Sequence, residues 1–138
     1  MPARKKEPPR LDGLLVLVVD DNEDLRVMLK AALEDYGATV SIAASSREAL
    51  AMLAQFRPHV IVTDLMMPGE DGYWLLNEVR NLVPENRKIP VIALTAGDDR
   101  QRALDAGFQA FFQKPPALDE LCNAIIKGAG GRGKPTSA

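Results

Sequence analysis

Apolar positions alternate along the chain between strand-like runs and helical stripes. Leu14 to Val19 (LLVLVV) is an unbroken valine-rich run that suits a parallel strand buried on both faces, and it ends at Asp20 and Asp21. From Glu23, residues Leu25, Met28, Leu29, Ala32, Leu33 and Tyr36 recur at helical spacing behind Asn22 as N-cap, and Gly37 stops the helix. Ala38 to Ile42 alternates and is β-branched, which predicts a half-exposed edge strand. A second helix starts from a Ser45 or Ser46 cap and runs through Phe56, with Ala49, Leu50, Leu53 and Phe56 inward. Val60 to Thr63 is the third strand, closed by Asp64 and a Met-Met-Pro-Gly turn. Leu75, Leu76, Val79, Leu82 and Val83 then mark a helix that stops before Pro84, and Glu85 to Lys88 is loop.

Pro90 to Leu94 is a short buried strand with proline at its first position, where a missing N–H is tolerated, and Thr95 closes it. Asp98 to Ala106 carries only a thin stripe, Ala103 and Leu104, so this helix is expected to be the least firmly packed. Phe108 to Gln113 is the fifth strand and Lys114 ends it. Leu118, Leu121, Cys122, Ile125 and Ile126 form the last helical face before Gly128. Five strands alternating with five helices, on short connections, predict an α/β fold with a doubly wound parallel sheet and right-handed crossovers. The first and third strands should be central neighbours and the second an edge.

Composition narrows the setting. A chain of 138 residues with 46% apolar content builds one core without disulfide or metal support. Met1 to Arg10 and Gly128 to Ala138 mix Pro, Gly and charge with little to bury, so residues 1–10 are expected to be a flexible N-terminal segment, 11–127 the domain, and 128–138 a flexible tail. A net charge of -2 provides no footprint for nucleic acid or an anionic membrane, so neither is expected as a direct partner. No apolar run reaches spanning length, and the single cysteine, Cys122, fits a reducing, cytoplasmic setting as an inert buried thiol. His59 is expected to be a solvated loop residue and Trp74 a partly buried anchor.

Candidate chemistry gathers at the strand ends: Asp20 with Asp21, Asp64, Thr95 and Lys114. Core packing requires none of these groups there. With the first and third strands adjacent, three carboxylates repel one another unless a cation intervenes, and oxygen-only ligands suit Mg²⁺. A carboxylate nucleophile at Asp64, a divalent ion and the fixed charge of Lys114 are the parts that phosphoryl transfer needs. Thr95 can donate to a phosphoryl oxygen, small Ala96 leaves room for the group, and the product would be an acyl phosphate on Asp64.

The fragments VLVVDDNEDLR, VIVTDLMMPGEDGYWLL, VIALTAG and AFFQKP, in this order, resemble the receiver domain of bacterial two-component response regulators over about Leu14 to Lys127. The resemblance implies a flavodoxin-like (βα)5 sheet of order 2-1-3-4-5. It implies Asp64 as phosphoacceptor, Asp20 and Asp21 as the acidic pair holding Mg²⁺, and the backbone carbonyl of Met66 as a further metal ligand. Thr95 falls at the switch hydroxyl, Lys114 at the fixed lysine, and Phe111 at the switch aromatic. A cis Lys114–Pro115 bond is permissible, not required. The implied partners are a histidine kinase or histidine phosphotransfer protein, and a downstream partner reached through the last two strands and helices. The implied activity is a signalling switch that catalyses only its own phosphorylation and dephosphorylation, and is otherwise not an enzyme.

Three departures from the commoner family pattern stand out. Phe111 lacks the frequent tyrosine hydroxyl, and Ala117 sits where a capping Asp or Ser is common. Met66 and Gly97 cannot orient a water through their side chains. Competing readings are a degenerate receiver used only for docking, which the intact acids disfavour, and an aspartyl-nucleophile hydrolase, which would need a second Asp at the position of Met66. No glycine-rich phosphate loop with its lysine follows the first strand, which disfavours a nucleotide-binding protein. A free-standing regulator and a receiver belonging to a larger protein fit the sequence equally.

Overall fold

The computed structural model describes residues 9–82, 84 and 88–130. Its strands are β1 (Leu15–Val19), β2 (Thr39–Ala43), β3 (Val60–Thr63), β4 (Val91–Thr95) and β5 (Ala110–Gln113); its helices are α1 (Glu23–Asp35), α2 (Ser46–Met52), α3 (Gly72–Arg80), α4 (Arg100–Ala106) and α5 (Leu118–Gly128). The strands form one parallel sheet in the order β2-β1-β3-β4-β5, as expected. Alternate strand residues feed two cores. Val16, Val18, Val62, Ile92 and Leu94 face α1 and α5, where Leu29, Leu33, Leu121 and Ile125 are buried. Leu17, Val19, Ile61, Val91 and Ala93 face α2, α3 and α4.

Local chemistry starts most helices where the sequence places them. Asn22 accepts from the Leu25 amide at the start of α1, Ser45 from Glu48 at α2, and Asp71 from Trp74 at α3. At α5 the Ala117 position makes no side-chain cap bond, a loss of about 1 kcal/mol that Asp119 and Glu120 in the first turn partly offset through the helix dipole. The Lys114–Pro115 peptide is cis.

Several expectations shift. Met28 is 45% exposed, because the buried stripe of α1 runs through Leu29 and Leu33 and Met28 lies about 100° away around the helix. Helix α2 ends at Met52 and runs out in turns, since Pro58 disfavours helix just before it. Phe56 still packs against the second core. His59 is not a solvated loop residue: its Nδ1 accepts from the Leu15 amide at 2.9 Å, while its own N–H donates to the Leu15 carbonyl at 2.8 Å. An imidazole thus extends the β1–β3 pairing by one rung. Arg10, grouped with the N-terminal segment on sequence, pairs with Asp12 at 3.0 Å and donates to the Asp35 carbonyl at 3.5 Å. Gly128 closes α5 and packs on Pro90, so it belongs to the domain and not to a tail. Pro9, Ala129 and Gly130 are also described, Ala129 as the buried C-cap of α5, whereas residues 1–8, 83, 85–87 and 131–138 lie outside the described residues.

Helix α4 is the weak element. Only Ala103 is buried on it, Leu104 is 38% exposed, and no side chain caps its N-terminus. Two arginines hold it instead. The Arg100 guanidinium lies 5.4 Å from the Phe111 ring centroid and the Arg102 guanidinium 4.2 Å from that of Tyr73, contacts worth about 0.5–1 kcal/mol each at exposed sites. The Tyr73 ring meets Phe108 edge-on, and its buried hydroxyl has no hydrogen-bond partner, which costs about 1–3 kcal/mol.

On the firm side of the sheet, Cys122 is fully buried, and burial pushes its thiol pKa up to about 12, with Asp119 adding to the shift. At mildly alkaline pH a thiol-alkylating reagent should therefore label the native chain roughly a hundredfold more slowly than the urea-unfolded chain. Equal labelling rates would mean that α5 is not seated as described.

Candidate functional site

The sheet register builds the site. Val19 pairs with Thr63, so Asp20 and Asp64 are the next residues on adjacent strands and leave the sheet at the same edge. The ladder carries them one step further: the Asp20 amide donates to the Ala43 carbonyl at 3.1 Å and the Asp64 amide to the Val19 carbonyl at 3.0 Å. Asp20 and Asp64 are buried and Asp21 is exposed, and one oxygen from each of the three carboxylates lies within 4.8 Å of the others.

Each buried acid is held by its neighbours. Asp20 Oδ1 accepts from the Asn22 amide at 2.9 Å, and the Asp20 carbonyl accepts from Arg26 Nη1 at 2.7 Å. Asp64 Oδ1 accepts from the Met66 amide at 3.2 Å, and the buried Thr63 hydroxyl donates to the Asp64 carbonyl at 2.9 Å. Gly72 is required where α3 crosses this loop: a Cβ there would collide with the Asp64 carbonyl and lie 3.0 Å from Leu65 Cα.

Lys114 reaches in from the far side. Its amide donates to the Thr95 carbonyl at 2.9 Å, which fixes the end of β5 to the end of β4. Its Nζ lies 2.7 Å from Asp20 Oδ2 and 3.0 Å from Asp64 Oδ2, with the side chain 21% exposed. Burial pulls the lysine pKa down, but the hydrogen bonds and charges of Asp20 and Asp64 outweigh it and the net direction is up. One ammonium does not neutralise three carboxylates. The oxygen-only set, open to solvent at Asp21, fits a hard divalent cation such as Mg²⁺.

Of the remaining predicted positions, Met66 meets Asp64 through its backbone amide, while Thr95, Ala96 and Phe111 make no hydrogen bond to it among the described residues. Thr95 is buried at the end of β4, and its Oγ1 accepts from the Gly97 amide at 3.5 Å. Ala96 beside it is exposed. Met66 is 67% exposed while Met67 is buried. Phe111 is 3% exposed, packed in the second core under Arg100. Sequence reasoning missed Arg26 and Thr63 as supports. Arg26 lies one turn into the helix that Asn22 caps, a spacing that could have pointed to it; a lone threonine at a strand end carries no such signal. A cavity of about 640 Å³ at the opposite edge of the sheet, lined by Arg57, His59 and Lys88 among others, touches none of these side chains.

The family model described as "Response regulator receiver domain" matches residues 16–126, most of the chain. The chain belongs to the response regulator receiver domain family. This receiver domain is 45% identical over 113 residues to an uncharacterized 14.6 kDa protein of Leptolyngbya boryana, covering 80% of this chain and 86% of that one. It is 38% identical over 109 residues to the response regulator MprA of Mycolicibacterium vanbaalenii, covering 77% of this chain and 46% of MprA, so it spans about half of that relative. Among solved structures it is similar to the receiver domain of the Francisella response regulator 1452, with a TM-score of 0.78, 32% identity, and coverage of 88% and 100% of the two chains. The receiver is a phosphoryl-accepting signalling domain of the two-component type and not a classical enzyme. Among its described residues no helix is long and apolar enough to cross a membrane.

In metal-free buffer, Lys114→Met should destabilise the receiver by about 2 kcal/mol in urea unfolding, because it leaves Asp20 and Asp64 buried without their cation. Lys114→Met with Asp20→Asn should recover part of that loss. A double variant no more stable than Lys114→Met alone would show that carboxylate repulsion is not what the lysine relieves.

Proposed function

We propose that the receiver accepts a phosphoryl group on Asp64 from a histidine kinase or histidine phosphotransfer protein, in a Mg²⁺-dependent reaction, and that this modification switches its affinity for a downstream partner. The observation that carries the reading is the single ammonium of Lys114 bridging Asp20 and Asp64 inside a cluster of three carboxylates. Asp20, Asp21, Asp64 and the Met66 carbonyl would hold the ion. When bound, it supplies charge that lets a phosphoryl group approach a carboxylate and neutralises its equatorial oxygens.

The chain's own residues do the rest. As an Asp64 oxygen bonds to phosphorus, the P–N bond of the phosphohistidine breaks and its electron pair returns to the imidazole nitrogen. Lys114 stays protonated and sits against the Asp64 oxygen where negative charge accumulates. Thr95 turns its hydroxyl from the Gly97 amide to a phosphoryl oxygen, and Ala96 keeps space clear for the group. Phe111 already lies in the core, so the change reaches the surface of β4, β5, α4 and α5 through the loop after Thr95. Near-complete conversion between two arrangements needs a bias of about 5 kcal/mol. The free buried thiol and the kinase partner both suit the cytoplasm.

Intact-mass analysis after incubation with acetyl phosphate tests this. A single phosphate adduct is expected with Mg²⁺, none with chelator, and none for Asp64→Ala under either condition. An adduct that survives in Asp64→Ala, or one indifferent to the metal, would remove Asp64 from the role given to it.

A further inference from the structure

Met66 differs from the other described methionines in both exposure and position. It is 67% exposed, while Met67, the next residue, is 7% exposed and packed in the second core. A side chain so open to solvent contributes little to packing, yet it stands at the edge that carries Asp64. Its amide donates to Asp64 Oδ1 at 3.2 Å, and its Sδ lies 3.6 Å from where a Cβ on Gly97 would sit. The thioether therefore crosses from the loop after β3 to the loop after β4, where the Gly97 amide bonds the Thr95 hydroxyl. A cavity of about 470 Å³, lined by Met66, Asp71 and Arg102 among others, gives small solutes a path to this side chain.

We propose that Met66 is a site of reversible oxidation by a hydroperoxide, and that its sulfoxide shortens the life of a phosphoryl group on Asp64. In the oxidation the sulfur gives an electron pair to one peroxide oxygen as the O–O bond breaks. That oxygen stays on sulfur, the other leaves as water, and the sulfur is oxidised by two electrons. No thiol competes among the described residues, because Cys122 is fully buried and burial pushes its pKa up to about 12. The product differs from its parent in what it can bind: a thioether is a weak acceptor, whereas a sulfoxide carries a polar oxygen. Asp20 and Thr95 are buried, and Asp21, Met66 and Ala96 are exposed, so water meets an acyl phosphate on Asp64 from the side where this sulfur stands. There the sulfoxide oxygen accepts a hydrogen of the water and turns the water oxygen toward phosphorus. As the new P–O bond forms, the P–O bond to Asp64 breaks, its electron pair returns to the carboxylate, and the proton leaves to solvent. One neutral hydrogen bond gained in that step is worth about fivefold in rate. The effect on lifetime rests on the function proposed above; the oxidation of Met66 does not.

The test treats the full chain with hydrogen peroxide and follows each methionine by peptide mass. Met66 should gain one oxygen about tenfold faster than Met67. Treated and untreated chains are then loaded with acetyl phosphate and Mg²⁺, the donor is removed, and loss of the adduct is timed by intact mass. Treatment should shorten the half-life about fivefold, and a thiol-dependent methionine sulfoxide reductase should restore it. Met28→Leu removes the other exposed methionine among the described residues and should keep the response. Met66→Leu, compared with its own untreated form, should lose it. Equal oxidation of Met66 and Met67, a half-life that treatment leaves unchanged, or one shortened as much in Met66→Leu overturns the inference. An untreated chain that takes up no phosphate would overturn the proposed function and the effect on lifetime together, and the order of oxidation then decides the modification site alone.

Discussion

The ammonium of Lys114 between Asp20 and Asp64 is the contact around which the molecule is arranged. Three strand ends must arrive at one edge in register for it to form, and that register rests on the pairing of β1 with β3, β3 with β4 and β4 with β5. Placing two buried carboxylates side by side costs free energy that the apolar sheet around them offsets, and one lysine leaves the cluster negative. The receiver is thus folded around a negative charge imbalance, and a hard divalent cation is the kind of ligand that such an imbalance selects.

The two sides of the sheet divide the work. Helices α1 and α5 bury leucine and isoleucine against the valines of β1 and β3, and they hold the acids still. The opposite side ends in α4, which has one buried residue, no cap and two guanidinium contacts. Phe111 is buried in this state, packed in the second core under Arg100.

Much of this was legible along the chain because buried parallel strands announce themselves as unbroken apolar runs and helices as stripes. The third strand, the Asn22 cap, the weakness of α4 and the polar residues at the strand ends all follow from local pattern. The misses share one cause. Met28 sits at helical spacing but just beyond the stripe that the sheet covers, and which edge of a stripe is covered depends on the angle at which the helix lies. His59 looks like a loop residue until β1 presents an unpaired amide to its ring.

Sequence by itself determined the elements, the parallel sheet, the membership of the family and the identity of the charged groups, because those depend on period and on residue type. Tertiary structure alone decided which group each one meets: Lys114 on both acids, Thr95 turned to Gly97, and the Tyr73 hydroxyl buried without a partner. Hydrogen bonds and ion pairs act over about 3 Å and depend on direction, and residues far apart in the chain acquire such geometry only when the packed sheet fixes their relative positions.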